Sequence, residues 1–255
     1  MKVILLKNKT TPSDPYDRIF QQHNYEPIFL PLLRHTPVNE QIILSFLTSD
    51  DFLDNYEALI ITSQRSIETL GQILAKLHSF GRFNDILSKP SYTVGPATAH
   101  VMRQLGFTDV RGGDDAGNGQ ILADIIKKEL RAGRVLFLTG QIRKDTIPRE
   151  LKLAGFDLKE LVSYRTEPLT DIVDRYTKIV SRLNKNDWLV FFSPQGTRYI
   201  LDHLDHFSRL ATIGPTTQTF LARRGIGVDV VAKKPCAESL YQAIVGDELS
   251  HSQMS

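Results

Sequence analysis

Two stretches of this chain have the residue types and spacing to hold an anion. Tyr92 to Phe107 reads YTVGPATAHVMRQLGF and Ala211 to Ile226 reads ATIGPTTQTFLARRGI. Each leads from a short β-branched run into Gly-Pro and a threonine. Apolar residues at helical spacing follow (Val101, Met102 and Leu105; Phe220 and Leu221), then a stopping glycine. The first amides of a helix have no partner within it, and the macrodipole puts partial positive charge there, so a strand running into a helix start is suited to carboxylates or phosphates. The same spelling also makes an ordinary strand-to-helix turn in which threonine only caps. Two copies imply two anion sites, or one between them.

Other polar loops follow apolar strands in the same way. Lys7 comes after Val3 to Leu6, Ser63 and Arg65 after Ala58 to Ile61, Arg143 and Lys144 after Val135 to Leu138, and Ser193-Pro194-Gln195-Gly196 after Trp188 to Phe192. Each of Ser63, Thr98, Ser193, Thr216 and Thr217 is placed to cap a helix, to touch a ligand, or to do both. Most surface lysines and arginines are merely solvated, which is the competing reading for Lys7, Arg65, Arg143 and Lys144. His203 and His206 lie three apart without a third ligand, so they read as a surface pair, and no metal site is expected.

These loops need strands and helices in alternation to present them. After Val3 to Leu6 and a polar loop ending at Thr11, an Asp14-capped helix turns Tyr16, Ile19 and Phe20 inward. Tyr25 to Leu33 is extended, and its Pro27 and Pro31 suit an edge or a crossing between domains. A helix over Asn39 to Phe46 should bury Ile42, Ile43 and Phe46, and the one after Ser63 should bury Ile67, Leu70, Ile73, Leu74 and Leu77. Gly112 to Gly119 reads as a loop that leads to a helix burying Ile121, Leu122, Ile125 and Ile126, with Asn118 favoured as its cap and a place at the cleft as the competing reading. After Val135 to Leu138 come a helix near Pro148 to Ala154 and an extended Leu158 to Arg165.

The pattern is written twice. Lys2 corresponds to Arg134, Tyr25 to Phe156, Ser63 to Ser193 and Val94 to Ile213, which makes two α/β repeats of about 125 residues. Alternating strands and helices demand parallel sheets covered on both faces. Ligands sit beyond the carboxyl ends of such strands, so the polar loops should gather on one rim per domain, and two rims facing each other would form a cleft.

Composition narrows the function. The 255 residues are 41% hydrophobic and 24% charged, ordinary for a globular protein, and the net charge of +2 with scattered basic residues argues against nucleic acid. One cysteine, Cys236, excludes an internal disulfide and fits a reducing compartment. No apolar run reaches membrane-spanning length, and the run near the start is too short for a signal peptide, so a cytoplasmic protein is expected. Without further information, a two-lobed, non-catalytic sensor or carrier of an anionic metabolite fits these features as well as an enzyme does.

Tyr164 and six motifs in order favour the enzyme. The motifs are Ile61-Thr62-Ser63, Val94-Gly95-Pro96-Ala97-Thr98-Ala99, Ala116-Gly117-Asn118, Val162-Ser163-Tyr164-Arg165-Thr166, Phe191-Phe192-Ser193-Pro194-Gln195-Gly196 and Ile213-Gly214-Pro215-Thr216-Thr217. Together they resemble uroporphyrinogen-III synthases from Lys2 to about Ile244, and the spelling is most similar to fungal members. The resemblance implies two α/β domains with a cleft between them: residues 1–34 with 167–255, and residues 35–166. Strands near 26–34 and 158–166 would link them as a two-stranded ladder. It also implies dehydrative closure of the linear tetrapyrrole hydroxymethylbilane, with inversion of the last ring through a spiro intermediate. No cofactor, a monomer, and a transient contact with the enzyme that makes the bilane are implied as well. Tyr164 is the implied donor to the leaving oxygen. Lys7, Ser63, Arg65, Gly95, Ala97, Thr98, Arg143, Lys144, Ser193, Pro194, Gln195, Gly196, Thr216 and Thr217 are the implied contacts for a substrate with eight carboxylates.

Overall fold

The structure is a computed structural model that describes residues 1–10, 13–204 and 209–252. Thr11 and His206, both named above, lie outside the described residues. The chain divides into two compact units, Met1–Arg34 with Glu167–Ser255, and His35–Thr166.

Eleven strands are described: β1 (Lys2–Leu6), β2 (Glu26–Phe29), β3 (Leu33–Pro37), β4 (Ala58–Ile61), β5 (Ser91–Val94), β6 (Val110–Gly113), β7 (Arg134–Gly140), β8 (Asp157–Pro168), β9 (Trp188–Phe191), β10 (Arg209–Thr212) and β11 (Val230–Val231). The helices are α1 (Pro15–Gln22), α2 (Glu40–Leu47), α3 (Asp50–Asn55), α4 (Gln64–Leu74), α5 (Phe83–Leu87), α6 (Pro96–Gln104), α7 (Gly119–Glu129), α8 (Thr146–Leu153), α9 (Ile172–Val180), α10 (Pro194–Thr197), α11 (Pro215–Ala222) and α12 (Ala237–Ser252).

In the first unit the strand order is β11-β10-β9-β1-β2, all parallel. Every side chain of β1 from Val3 to Leu6 is buried because both faces of the sheet are covered. Val3 and Leu5 pack with Tyr16, Phe20, Trp188, Leu240 and Ile244 on one side, while Ile4 and Leu6 pack with Ile172, Tyr176, Leu189 and Leu221 on the other. Asp14 caps α1 by accepting from the Tyr16 N–H, and Tyr16, Ile19 and Phe20 are buried as expected.

The sheet of the second unit has the order β3-β8-β7-β4-β5-β6. Helices α2, α3, α4 and α6 bury Ile43, Phe52, Leu70 and Met102 against Leu59 and Ile61, while α7 and α8 bury Leu122, Ile126 and Leu151 against Ile60 and Val135. Apart from β3, the two sheets repeat one order: β2-β1-β9-β10-β11 in one corresponds to β8-β7-β4-β5-β6 in the other. Each unit therefore takes its β-α-β segment from one copy of the repeat and its remaining strands from the other.

Several expectations are corrected. Glu26–Phe29, assigned by resemblance to the linker, is the edge strand β2 paired with β1. On an edge, the N–H that Pro27 lacks is not needed by a further strand. Ile42 and Ile121 are exposed at 58% and 42%, because the inward rows of their helices are Ile43 with Leu47, and Leu122 with Ile126. Gly112 and Gly113 end the strand β6 instead of opening a loop, both at positive φ. A Cβ on Gly112 would lie 2.4 Å from the Thr93 carbonyl oxygen, so only glycine allows β6 to close on β5. The helix after Ser193 is only four residues long.

Candidate active site

The site is built where the strands of the second unit end. A cavity of about 370 Å³ opens beyond β4, β5 and β7. Thr62 and Ser63 line it after β4, Val94 at the end of β5, and Thr139, Gly140, Ile142, Arg143 and Lys144 at the end of β7. Asn118 and Gly119 at the start of α7, Thr146 and Ile147 at the start of α8, and Tyr164 from β8 complete it.

Two helix starts at this cavity have side-chain caps. The Ser63 Oγ accepts from the Arg65 N–H at 3.2 Å, and the Asn118 Oδ1 accepts from the Gln120 and Ile121 N–H groups at 2.9 and 3.1 Å. Both helices therefore direct the positive end of their dipoles at the cavity wall. Asn118 fulfils its expected role as a cap.

Tyr164 is half-buried, and its phenol oxygen accepts a 3.1 Å hydrogen bond from the Ser63 hydroxyl. The edge of His35 packs on its ring with centroids 5.8 Å apart. Next to it the β7–β8 ladder slips. Thr139 faces Val162, but Gly140 faces Tyr164, which leaves Ser163 as an extra residue. Ser163 is fully buried, its hydroxyl donating to the Thr139 carbonyl at 3.1 Å and accepting from the Ser66 hydroxyl at 3.0 Å. A bulge of this kind re-aims the side chains that flank it.

The cations differ in their freedom. Arg143 is engaged by Glu160 and Asp145. Lys144 is exposed and makes no ion pair or hydrogen bond among the described residues. Arg65 is held by Glu68 through two hydrogen bonds of 2.8 and 3.0 Å and does not line the cavity. Lys7 is also committed, to the carboxylate of Asp14 and beside the rings of Tyr16, Phe29 and Phe192, so it anchors the start of α1. Burial pushes the Asp14 carboxyl up, but the hydrogen bonds from Lys7 and from the Thr10 and Tyr16 amides outweigh it and hold the group below its ordinary value. Burial, with Arg65 nearby, lowers His35.

The duplicated Gly-Pro starts behave differently from the expected caps. Gly95, at φ +81°, occupies the N-cap of α6 without a side chain to bond, and its N–H donates to the carbonyls of Gly113 and Ala116 at 3.1 and 3.0 Å. Thr98 is buried within α6 and does not cap it, while Ala97 is exposed, and none of these three lines the cavity. In the first unit Thr217 is likewise buried, whereas Thr216 is exposed. Pro194, Pro215, Thr216, Arg223 and Arg224 border one opening of about 630 Å³. Thr216, Thr217 and Lys233 border another of about 280 Å³. Ser193 occupies the N-cap of α10 without a side-chain bond, and neither it, Gln195 nor Gly196 lines these openings. Gly196 packs against Leu32, whose Cβ would lie 3.0 Å from an added methyl.

Sequence reasoning did not single out Gly140, Thr146, Arg223, Lys233 or His35 as parts of a site. For Thr146 the position at a helix start was the available signal, and Gly140, the last residue of β7, carried none. Arg223, Lys233 and His35 carried none.

The family described as Uroporphyrinogen-III synthase HemD matches residues 14–242. The uroporphyrinogen-III synthase of Saccharomyces cerevisiae is 40% identical over 262 residues, covering 96% of this chain and 95% of that protein. The one from Schizosaccharomyces pombe is 34% identical over 253 residues, covering 98% of each. Among solved structures, uroporphyrinogen-III synthetase from Helicobacter pylori superposes with a TM-score of 0.63 at 19% identity, covering 99% of this chain and 98% of that one. A mutant uroporphyrinogen III synthase from Thermus thermophilus gives 0.60 at 14%, covering 98% and 99%. These distant structures agree on the fold.

Proposed function

The chain belongs to the uroporphyrinogen-III synthase family, a cyclising lyase of heme biosynthesis, and on that premise we propose that its reaction is organised around Tyr164 in the cavity of the second unit. The substrate is hydroxymethylbilane. Its terminal hydroxyl leaves with help from the electron-rich pyrrole, the substituted carbon of the last ring attacks to give a spiro intermediate, and closure yields the inverted macrocycle. Unaided, the bilane closes to the uninverted isomer. The protein therefore has mainly to orient the chain and ease the departure of oxygen.

The observation that carries this reading is the position of the Tyr164 phenol at a cavity bounded by two capped helix starts and the unengaged Lys144. With Ser63 donating to its oxygen, the phenol keeps its own proton for the leaving hydroxyl. Helix-start amides and Lys144 suit the carboxylates of the substrate.

We assign the working protein to the cytoplasm as a monomer that meets the bilane-forming enzyme transiently. No described helix is long and apolar enough to cross a membrane. Isomer-resolved analysis of product from freshly made hydroxymethylbilane tests the reading. Inverted product is expected, and exclusively uninverted product would overturn it.

A further inference from the structure

We propose that Gly140 is a positioning residue for Tyr164, an inference that rests on the reading of Tyr164 as the donor. An ideal Cβ at Gly140 would lie 2.5 Å from Cζ, 2.6 Å from Oη and 2.8 Å from Cε1 of Tyr164. Real Cβ atoms do not approach that closely, so the phenol rests on the bare backbone of the last residue of β7. Gly140 has no positive φ, and its requirement is therefore for space and not for backbone conformation.

The bulge creates this arrangement. The register shift at Thr139/Gly140 sets Tyr164 opposite Gly140, and the Gln141 N–H donates to the Tyr164 carbonyl at 2.9 Å. Buried Ser163 locks the extra residue through Ser66 and Thr139. Ser63 then fixes the hydroxyl from the side. A methyl at position 140 would push the ring off this seat and break the Ser63 contact. The fold should survive, because the collision is with the far end of one half-buried side chain.

The test compares the wild type with Gly140→Ala, Tyr164→Phe and the double variant, using freshly made hydroxymethylbilane. Each protein is also labelled with 3-fluorotyrosine, so that the resonance lost in Tyr164→Phe identifies that ring. Gly140→Ala and Tyr164→Phe should each lower kcat about 100-fold, with KM changed less than about twofold. The double variant should be no slower than either single one, and the fluorine resonance of Tyr164 should shift in Gly140→Ala.

If Gly140→Ala keeps the wild-type kcat or leaves the resonance unmoved while Tyr164→Phe is slow, positioning is overturned and the donor reading stands. Full rate in Tyr164→Phe removes the donor reading, and slow turnover by Gly140→Ala in that case shows that the glycine acts by another route. Failure of Gly140→Ala to fold also overturns the proposal, since it would make the glycine a requirement of the sheet.

Discussion

Ser63 and Tyr164, 101 residues apart in the chain, meet through a 3.1 Å hydrogen bond in which the serine hydroxyl donates to the phenol oxygen. The same serine oxygen accepts the Arg65 N–H at the start of α4. One small side chain thus ties a helix start to the proposed donor.

Ser63→Ala removes both interactions. Loss of the cap should lower stability by about 1 kcal/mol. Loss of the hold on the phenol should lower kcat by roughly tenfold, the effect of a neutral hydrogen bond worth about 1.4 kcal/mol. Ser63→Thr should restore most of both. Urea unfolding and steady-state kinetics check the two effects separately, and an unchanged kcat in the alanine variant would remove the serine from the mechanism.

Lys144→Ala should raise KM about fivefold at low salt, the effect of about 1 kcal/mol from one charge pair in water, and the difference should shrink as salt rises. Arg65→Ala should change KM much less, because Glu68 already holds that guanidinium away from the cavity lining. Kinetics across ionic strengths decide between them.

Asp14 is held below its ordinary carboxyl value in the folded protein. The folded state therefore binds this proton less readily than the unfolded chain does, and the stabilisation is present above about pH 4 and lost as pH falls through the folded value. Asp14→Asn should flatten the stability curve in that acidic window by removing the charge opposite Lys7, while the amide oxygen can still cap α1. Equilibrium unfolding at pH 3 to 7 provides the measurement.

His35 is also lowered in the folded state, first by burial and then by Arg65. Its contribution is complete above about pH 6.5 and is lost as pH falls below that value toward its folded one. His35→Gln should lessen the fall in stability between pH 7 and 5. Because His35 packs on the ring of Tyr164, the same variant should also make the acid side of the kcat profile shallower.

The duplicated strands were legible in the sequence because fully buried parallel strands are continuous apolar runs, and Val3 to Leu6, Ala58 to Ile61 and Trp188 to Phe191 can hardly be read otherwise. Periodicity misplaced Ile42 and Ile121, since each lies beside the inward row of its helix and only packing shows which isoleucine faces the core. Ser63 and Lys144 were legible as polar residues following strands. Gly140 was not, because its role depends on a one-residue slip between β7 and β8 that leaves no mark in either strand's composition. Thr98 resembled a cap, yet Pro96 starts the helix two residues earlier, so the threonine falls on its inner face.

The exchange of strands between the two copies of the repeat also sets an order of assembly during synthesis. Lys2 bonds Asp187 across 185 residues, and β1 finds its inner neighbour only in β9. At about 5–20 residues per second, the apolar run from Val3 to Leu6 waits roughly 10–40 s on the ribosome for that partner. In the stretch from His35 to Thr166 the corresponding wait is shorter, since β4 at Ala58 finds its inner neighbour β7 at Val135. The nascent chain thus carries an uncovered sticky end for much of its translation, the interval in which chaperone capture or aggregation would act on it.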